Sequence, residues 1–198
     1  MSSQDLLPEG VISTYLAKLL DVTRQTVVTD VQGKSLPVDV AIQAVVEMAR
    51  GVHEAGNKLI FAGNGGSAGI CSHMATDFSK NGNIRAWAMN DSAMLTCLSN
   101  DYGYEHVFSK QIEFHGRSGD MLIAISASGK SENIINAVRT ARDMDCSVVT
   151  LSGFSADNPL REIGDINFYL DSGLYGYVEV GHLILCHAIL DHSLGLVV

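Results

Sequence analysis

The sequence predicts an α/β fold: a five-stranded parallel, doubly wound sheet sandwiched by helices, preceded by an N-terminal helical arm. Three observations predict it. Short runs that are apolar on both faces recur through residues 58–198. Segments with helical spacing separate them, as in a parallel sheet covered on both sides. Two loops rich in glycine and serine each stand between a strand and a helix, where such folds place their ligands.

The elements follow in order. In residues 1–57 no strand is read. Val11 to Val28 carries Val11, Tyr15, Leu16, Leu19, Leu20 and Val22 at helical spacing. Val38 to Ala55 repeats the pattern through Ile42, Val45, Val46, Met48, Ala49 and Val52, and Gly56-Asn57 stops it. VQGKSLP between them reads as a loop. We therefore divide the chain into an oligomer-forming arm, 1–57, and a ligand-binding domain, 58–198. In the latter, strands are expected at 58–62 (KLIFA), 85–89 (RAWAM), 121–126 (MLIAIS), 147–152 (SVVTLS) and 166–170 (INFYL). Helices are expected at 67–80, 92–100, 104–114, 131–144, 159–163 and 178–194, and right-handed crossovers make the sheet doubly wound.

The chain has 198 residues, 46% hydrophobic and 18% charged, with a formal net charge of −9. That is ample material for a core. The acidic balance argues against a nucleic-acid partner, whose phosphates it would repel. Any phosphate must be held by local dipoles and hydroxyls. Cys71, Cys97, Cys146 and Cys186 form no CxxC pair, as expected of free thiols in a reducing cytoplasm. The polar start carries no secretory signal, and no apolar run reaches the ~18 residues of a membrane span.

The first loop, Gly63-Asn64-Gly65-Gly66-Ser67, allows tight turning and close backbone approach to a ligand. The helix that follows supplies unpaired N–H groups and a positive dipole end, an anion site. Ser67 is placed to cap that helix or donate to a phosphate. The second loop, Ser126-Ala127-Ser128-Gly129-Lys130-Ser131, sets three hydroxyls at the end of a central strand. One serine would suffice for a helix cap, so two such loops at equivalent strand ends point to a phosphate. A nucleotide P-loop ending in Gly129-Lys130-Ser131 fails, because Ala124 stands where its first glycine belongs. A dinucleotide fingerprint through Gly63, Gly65 and Ala68, with Asp91 on the ribose, leaves the second loop unexplained.

His73 and Asp77 stand four apart on the helix after the first loop, on one face, one turn along from the phosphate end. Glu179, His182, His187 and Asp191 lie on the last helix. Meeting over the strand ends, these groups suit proton transfer or a divalent metal of the zinc type. His182, inside VGHLILCH, also reads as a hydrogen-bonded core histidine. His106 and His115 read as surface residues.

In this order, the residues resemble the sugar isomerase (SIS) domain, and more narrowly the sedoheptulose 7-phosphate isomerase (phosphoheptose isomerase) family. The match is densest in GNGGSA, LSNDYGYEHVFSKQIE, GDMLIAISASGKSENIINA and VEVGHLILCHAIL. The resemblance implies a cytoplasmic aldose–ketose isomerase for surface-polysaccharide heptose, a homotetramer with sites between subunits. It implies that Asn64, Gly65, Gly66, Ser67, Ser126, Ser128 and Ser131 hold the sugar phosphate, the serines on the phosphate. Asn100 and Asp101 match an acidic loop near the sugar, and Glu179 a substrate-contacting position. Asp77 and His187 match the acid/base pair. His73, Asp77, Glu179 and His187 match a set that binds zinc in some members. Three departures stand out. Asp77 replaces a glutamate, Glu179 a glutamine, and Leu174-Tyr175-Gly176-Tyr177 a charged stretch. A non-catalytic phosphosugar-binding regulator of the same family is the alternative.

Overall fold

The computed structural model describes residues 10–197. Helix α1 (Val11–Arg24) leads into a hairpin, β1 (Val27–Asp30) and β2 (Ser35–Leu36), then helix α2 (Val38–Glu54). Strand β3 (Leu59–Gly63), helix α3 (Gly66–Lys80), strand β4 (Ala86–Ala88) and helix α4 (Ser92–Tyr102) follow. A 3-10 turn (Tyr104–His106) precedes helix α5 (Val107–His115), strand β5 (Met121–Ser126) and helix α6 (Glu132–Asp143). Strand β6 (Ser147–Gly153), a second 3-10 turn (Pro159–Glu162), strand β7 (Ile166–Leu170) and helix α7 (Tyr175–Ser193) complete the chain. Among the described residues, no helix is long and apolar enough to cross a membrane.

The five expected parallel strands are present, but the sheet has seven, in the order β2-β1-β7-β6-β5-β3-β4. The correction lies in residues 1–57. Val27-Val28-Thr29 is a β-branched run, and Gly33, at φ 76°, closes the turn after it. Its strand pairs antiparallel with β7, setting Val28 opposite Phe168. The run is only four residues long and follows a helix, so helical periodicity absorbed it.

Each parallel strand feeds both faces by the two-residue side-chain period. Phe61 faces a core with α2, α3 and α7, and neighbouring Ile60 one with α4, α5 and α6. On α2, Ala41, Val45, Val46, Ala49 and Val52 form the buried stripe. Two carboxylates pin strand starts. Asp120 accepts from the Lys58 and Arg117 backbone N–H groups, both at 2.9 Å. Asp165 accepts from the Val148 N–H at 2.7 Å and from Arg142 at 2.9 Å. The starts of β3, β5 and β6 are thereby registered, and so are their carboxyl ends.

Candidate functional site

Strand order reverses between β3 and β5, the switch point where open α/β sheets bind ligands. A cavity of about 230 Å³ opens there. Its lining includes Asn64, Gly65, Gly66 and Ser67 from the first loop and Ser126, Ser128 and Ser131 from the second, with Tyr175 and Glu179 of α7. Every residue predicted from the two loops is in this wall.

The first loop folds back sharply. A Cβ at Gly63 would sit 2.8 Å from the Ser67 carbonyl group, and Gly65 takes φ 53°, which disfavours side chains. Gly65, not Ser67, is the N-cap of α3, and no side chain caps the helix. Ser131 is the N-cap of α6, yet its hydroxyl makes no capping bond. It lies 3.2 Å from the Ser126 hydroxyl instead. Helix capping therefore does not account for these serines. Their hydroxyls and two uncapped helix starts face one cavity, a neutral way for an acidic chain to hold an anion. Gly129, at φ 62°, lies so close to Asn158 that a Cβ would meet its Oδ1 at 1.9 Å. Buried Asn158 donates to the Gly153 and Ser155 carbonyls, fixing the serine loop against the end of β6.

Three contributors were not anticipated. Asn133 exchanges two amide hydrogen bonds with Asn64, both 2.9 Å, and the Tyr104 hydroxyl donates to Asn64 Oδ1 at 2.9 Å. Tyr175 borders the cavity and meets the Phe154 ring edge-on at 4.8 Å. Asn133, in the turn after the serine loop, was the one with a signal, a polar residue on an otherwise apolar helix face. Asn100 and Asp101 lie outside the cavity wall, at the last turn of α4, where Asn100 donates to Asp101 at 2.8 Å.

Helices α3 and α7 run side by side in the same direction: Gly66 meets Glu179, and His73 meets His187. His73, Asp77 and His187 form one cluster, with ligand atoms within 4.8 Å of one another. His73 Nε2 is 3.2 Å from His187 Nε2 and 3.4 Å from Asp77 Oδ2. The cluster is not over the strand ends. His73 is seven residues from Gly66, about 10 Å along α3, two turns rather than one. Glu179 is eight residues from His187, about 12 Å along α7. Its carboxylate rests instead against Gly66, where a Cβ would meet it at 2.5 Å. The expected four-residue set is thus drawn apart, into a triad and a carboxylate at the serine cavity.

The cysteines beside the cluster stay out of its chemistry. Burial pushes the Cys186 thiol up to about 12, and burial with neighbouring Cys186 raises Cys71. Both remain protonated and poor ligands. His182 is the core histidine expected. It is fully buried, its Nε2 lies 3.1 Å from the Ser152 carbonyl, and burial lowers its pKa to about 4. His182 is therefore neutral and ties α7 to the end of β6.

Residues 38–153 match the SIS domain family model. Among curated proteins, a phosphoheptose isomerase of Aliarcobacter butzleri is 31% identical over 189 residues, covering 92% of this chain and 95% of that one. Among solved structures, a phosphoheptose isomerase from Neisseria gonorrhoeae superposes with a TM-score of 0.80 at 28% identity, covering 92% of this chain and 97% of that one. One from Francisella tularensis gives 0.80 at 26%, covering 98% and 100%.

Proposed function

The chain belongs to the phosphoheptose isomerase family of SIS-domain proteins, and from that premise we propose that it interconverts sedoheptulose 7-phosphate and an aldoheptose 7-phosphate by enediol acid/base chemistry. The carrying observation is that a hydroxyl-lined anion cavity and a His–Asp–His cluster share one pair of parallel helices. Ser67, Ser126, Ser128 and Ser131, with the N-termini of α3 and α6, hold the phosphate. Asn64, fixed by Asn133 and Tyr104, orients the sugar chain, with Asn100 and Asp101 as contacts from α4.

Isomerisation moves a proton between C1 and C2 and must stabilise the enediolate. Asp77 and His187 are the acid/base pair. His73 stands beside both, its Nε2 3.4 Å from Asp77 Oδ2 and 3.2 Å from His187 Nε2. The donor set also fits zinc. Two Zn–N bonds of about 2.0–2.1 Å at a tetrahedral angle place their nitrogens roughly 3.4 Å apart, close to the observed 3.2 Å. His73, Asp77 and His187 would hold the ion, which would supply Lewis-acid polarisation of the sugar oxygens in place of proton transfer by Asp77 and His187, whose lone pairs it would occupy.

We propose a homotetramer whose sites are completed between copies. Exposed Val11, Ile12, Leu16 and Leu20 on α1 support an oligomer-forming arm over residues 1–57. The four free thiols support a reducing cytoplasm.

The test is turnover of sedoheptulose 7-phosphate by the full chain, with and without zinc, following the aldoheptose product. Turnover is expected. Tight binding of the sugar phosphate with no turnover would replace this reading with the non-catalytic regulator.

A further inference from the structure

A second cavity, of about 410 Å³, opens at the amino ends of the strands, across the sheet from the serine loops. Lys58 enters it just before β3, Arg85 and Trp87 come from the start of β4, and His115, Arg117 and Asp120 from the turn between α5 and β5. The charges in its wall do not balance. Lys58 Nζ donates to Asp120 Oδ2 at 2.5 Å and to the His115 carbonyl at 2.8 Å. Asp120 is buried, also accepts two backbone N–H groups, and has its single charge already paired with Lys58. Two guanidinium groups remain. Arg85 donates to the Gly56 carbonyl. Among the described residues, neither Arg85 nor Arg117 forms an ion pair. In a chain of net charge −9, this is a concentrated patch of uncompensated positive charge around a hollow.

The same hollow has an aromatic wall. Trp87 is half-buried, and the His115 ring meets it edge-on at 5.4 Å. A planar fork of donors suits phosphate oxygens, and an indole face suits a flat ring. A cavity of 410 Å³ falls in the range of about 300–1,000 Å³ typical of small-molecule pockets, well above what a bare phosphate fills. We propose that this cavity binds a nucleotide, with Arg85 and Arg117 on its phosphates and Trp87 against its base. The site shares no residue with the serine-loop cavity, so it stands independently of the isomerase reading.

Trp87 is the chain's only tryptophan and lies in the wall, so it reports occupancy. The experiment titrates the full chain with adenosine 5′-diphosphate at low salt, exciting at ~295 nm, beyond adenine absorption, and repeats the titration by calorimetry. Saturable quenching is expected. Arg117→Ala, which removes no hydrogen bond from the fold, weakens binding by roughly 10- to 100-fold, the loss of a charge-assisted contact. Arg117→Lys, which keeps the charge but loses the fork, weakens it less. Pyrophosphate, lacking the ring, binds several-fold more weakly than the nucleotide. Saturating sedoheptulose 7-phosphate leaves the nucleotide affinity unchanged. The proposal is overturned by any of four results: no saturable signal by either method, unchanged affinity in both folded Arg117 variants, displacement by the sugar phosphate, or pyrophosphate binding as tightly as the nucleotide.

Discussion

The serine cavity and the His–Asp–His cluster lie on the same two helices but are built in opposite ways. The cavity is made of backbone: two strand ends, two helix starts, positive-φ glycines at 65 and 129, and hydroxyls that cap nothing. Most of its wall comes from two short stretches of sequence at strand ends, with Tyr175 and Glu179 of α7 closing it. The cluster is made of side chains on helix surfaces, and it exists only because α3 and α7 pack in parallel at one register. His73 is half-exposed, and nothing in its own segment requires His187 beside it. A hydroxyl-lined cavity can thus be fixed largely by strand ends and helix starts, whereas a cluster of side chains depends on how two distant helices meet.

If the two regions divide binding from chemistry, substitutions will separate them. The largest effect is expected at His187. His187→Ala should lower kcat by about 10²–10⁴-fold, the usual worth of general acid/base catalysis, with sugar-phosphate affinity and thermal unfolding little changed. A comparable loss of affinity would erase the division.

Next comes His182, which ties together the helix carrying both regions. Its folded pKa of about 4 lies below its ordinary 6.5, so below pH 6.5 the unfolded chain binds the proton first. Stability is full above pH 6.5 and falls as pH drops toward 4, by on the order of 3 kcal/mol. Urea denaturation from pH 7.5 to 4 checks this. His182→Leu should flatten that part of the profile, and an unchanged profile would remove His182 from the account.

Ser131→Ala should raise KM roughly 10-fold or more, through a lost hydroxyl–phosphate bond, with kcat nearly intact. A kcat loss as large as that at His187 would place the serine in the chemistry.

The smallest and sharpest test is Glu179→Gln. Removing a negative charge beside the start of α3 should tighten inorganic phosphate binding a few-fold, as about 0.3–1 kcal/mol of dipole interaction allows. Zinc content of the purified protein should not change, because the carboxylate stands apart from the triad. A loss of zinc would return Glu179 to the ligand set.

These differences also decide what was legible in the sequence. The parallel strands at 121–126 and 166–170 match the expected bounds, because apolar runs between turn signals are a local pattern. The cavity wall was legible for the same reason. The β1–β2 hairpin was not, since its strands are short and stabilised by pairing with β7, some 140 residues away. Tyr104 was missed because its role lies in a contact with Asn64, not in its own surroundings, whereas Asn133 had a local signal, one polar residue on the buried face of α6. His73, Asp77 and His187 were found by type and spacing, and their depth along the helices follows from the same spacing; that α3 and α7 meet there follows from packing.

The hairpin has a further consequence. It covers the long margin of β7 with an antiparallel ribbon that ends in a two-residue strand, and at the opposite margin β4 is three residues long. Neither border offers enough free backbone to recruit another chain's strand. Any association between copies is therefore left to the helices, where contacts are made by side chains and can be tuned one residue at a time. The sheet is left as a closed unit, guarded against the edge-to-edge growth that leads to fibres.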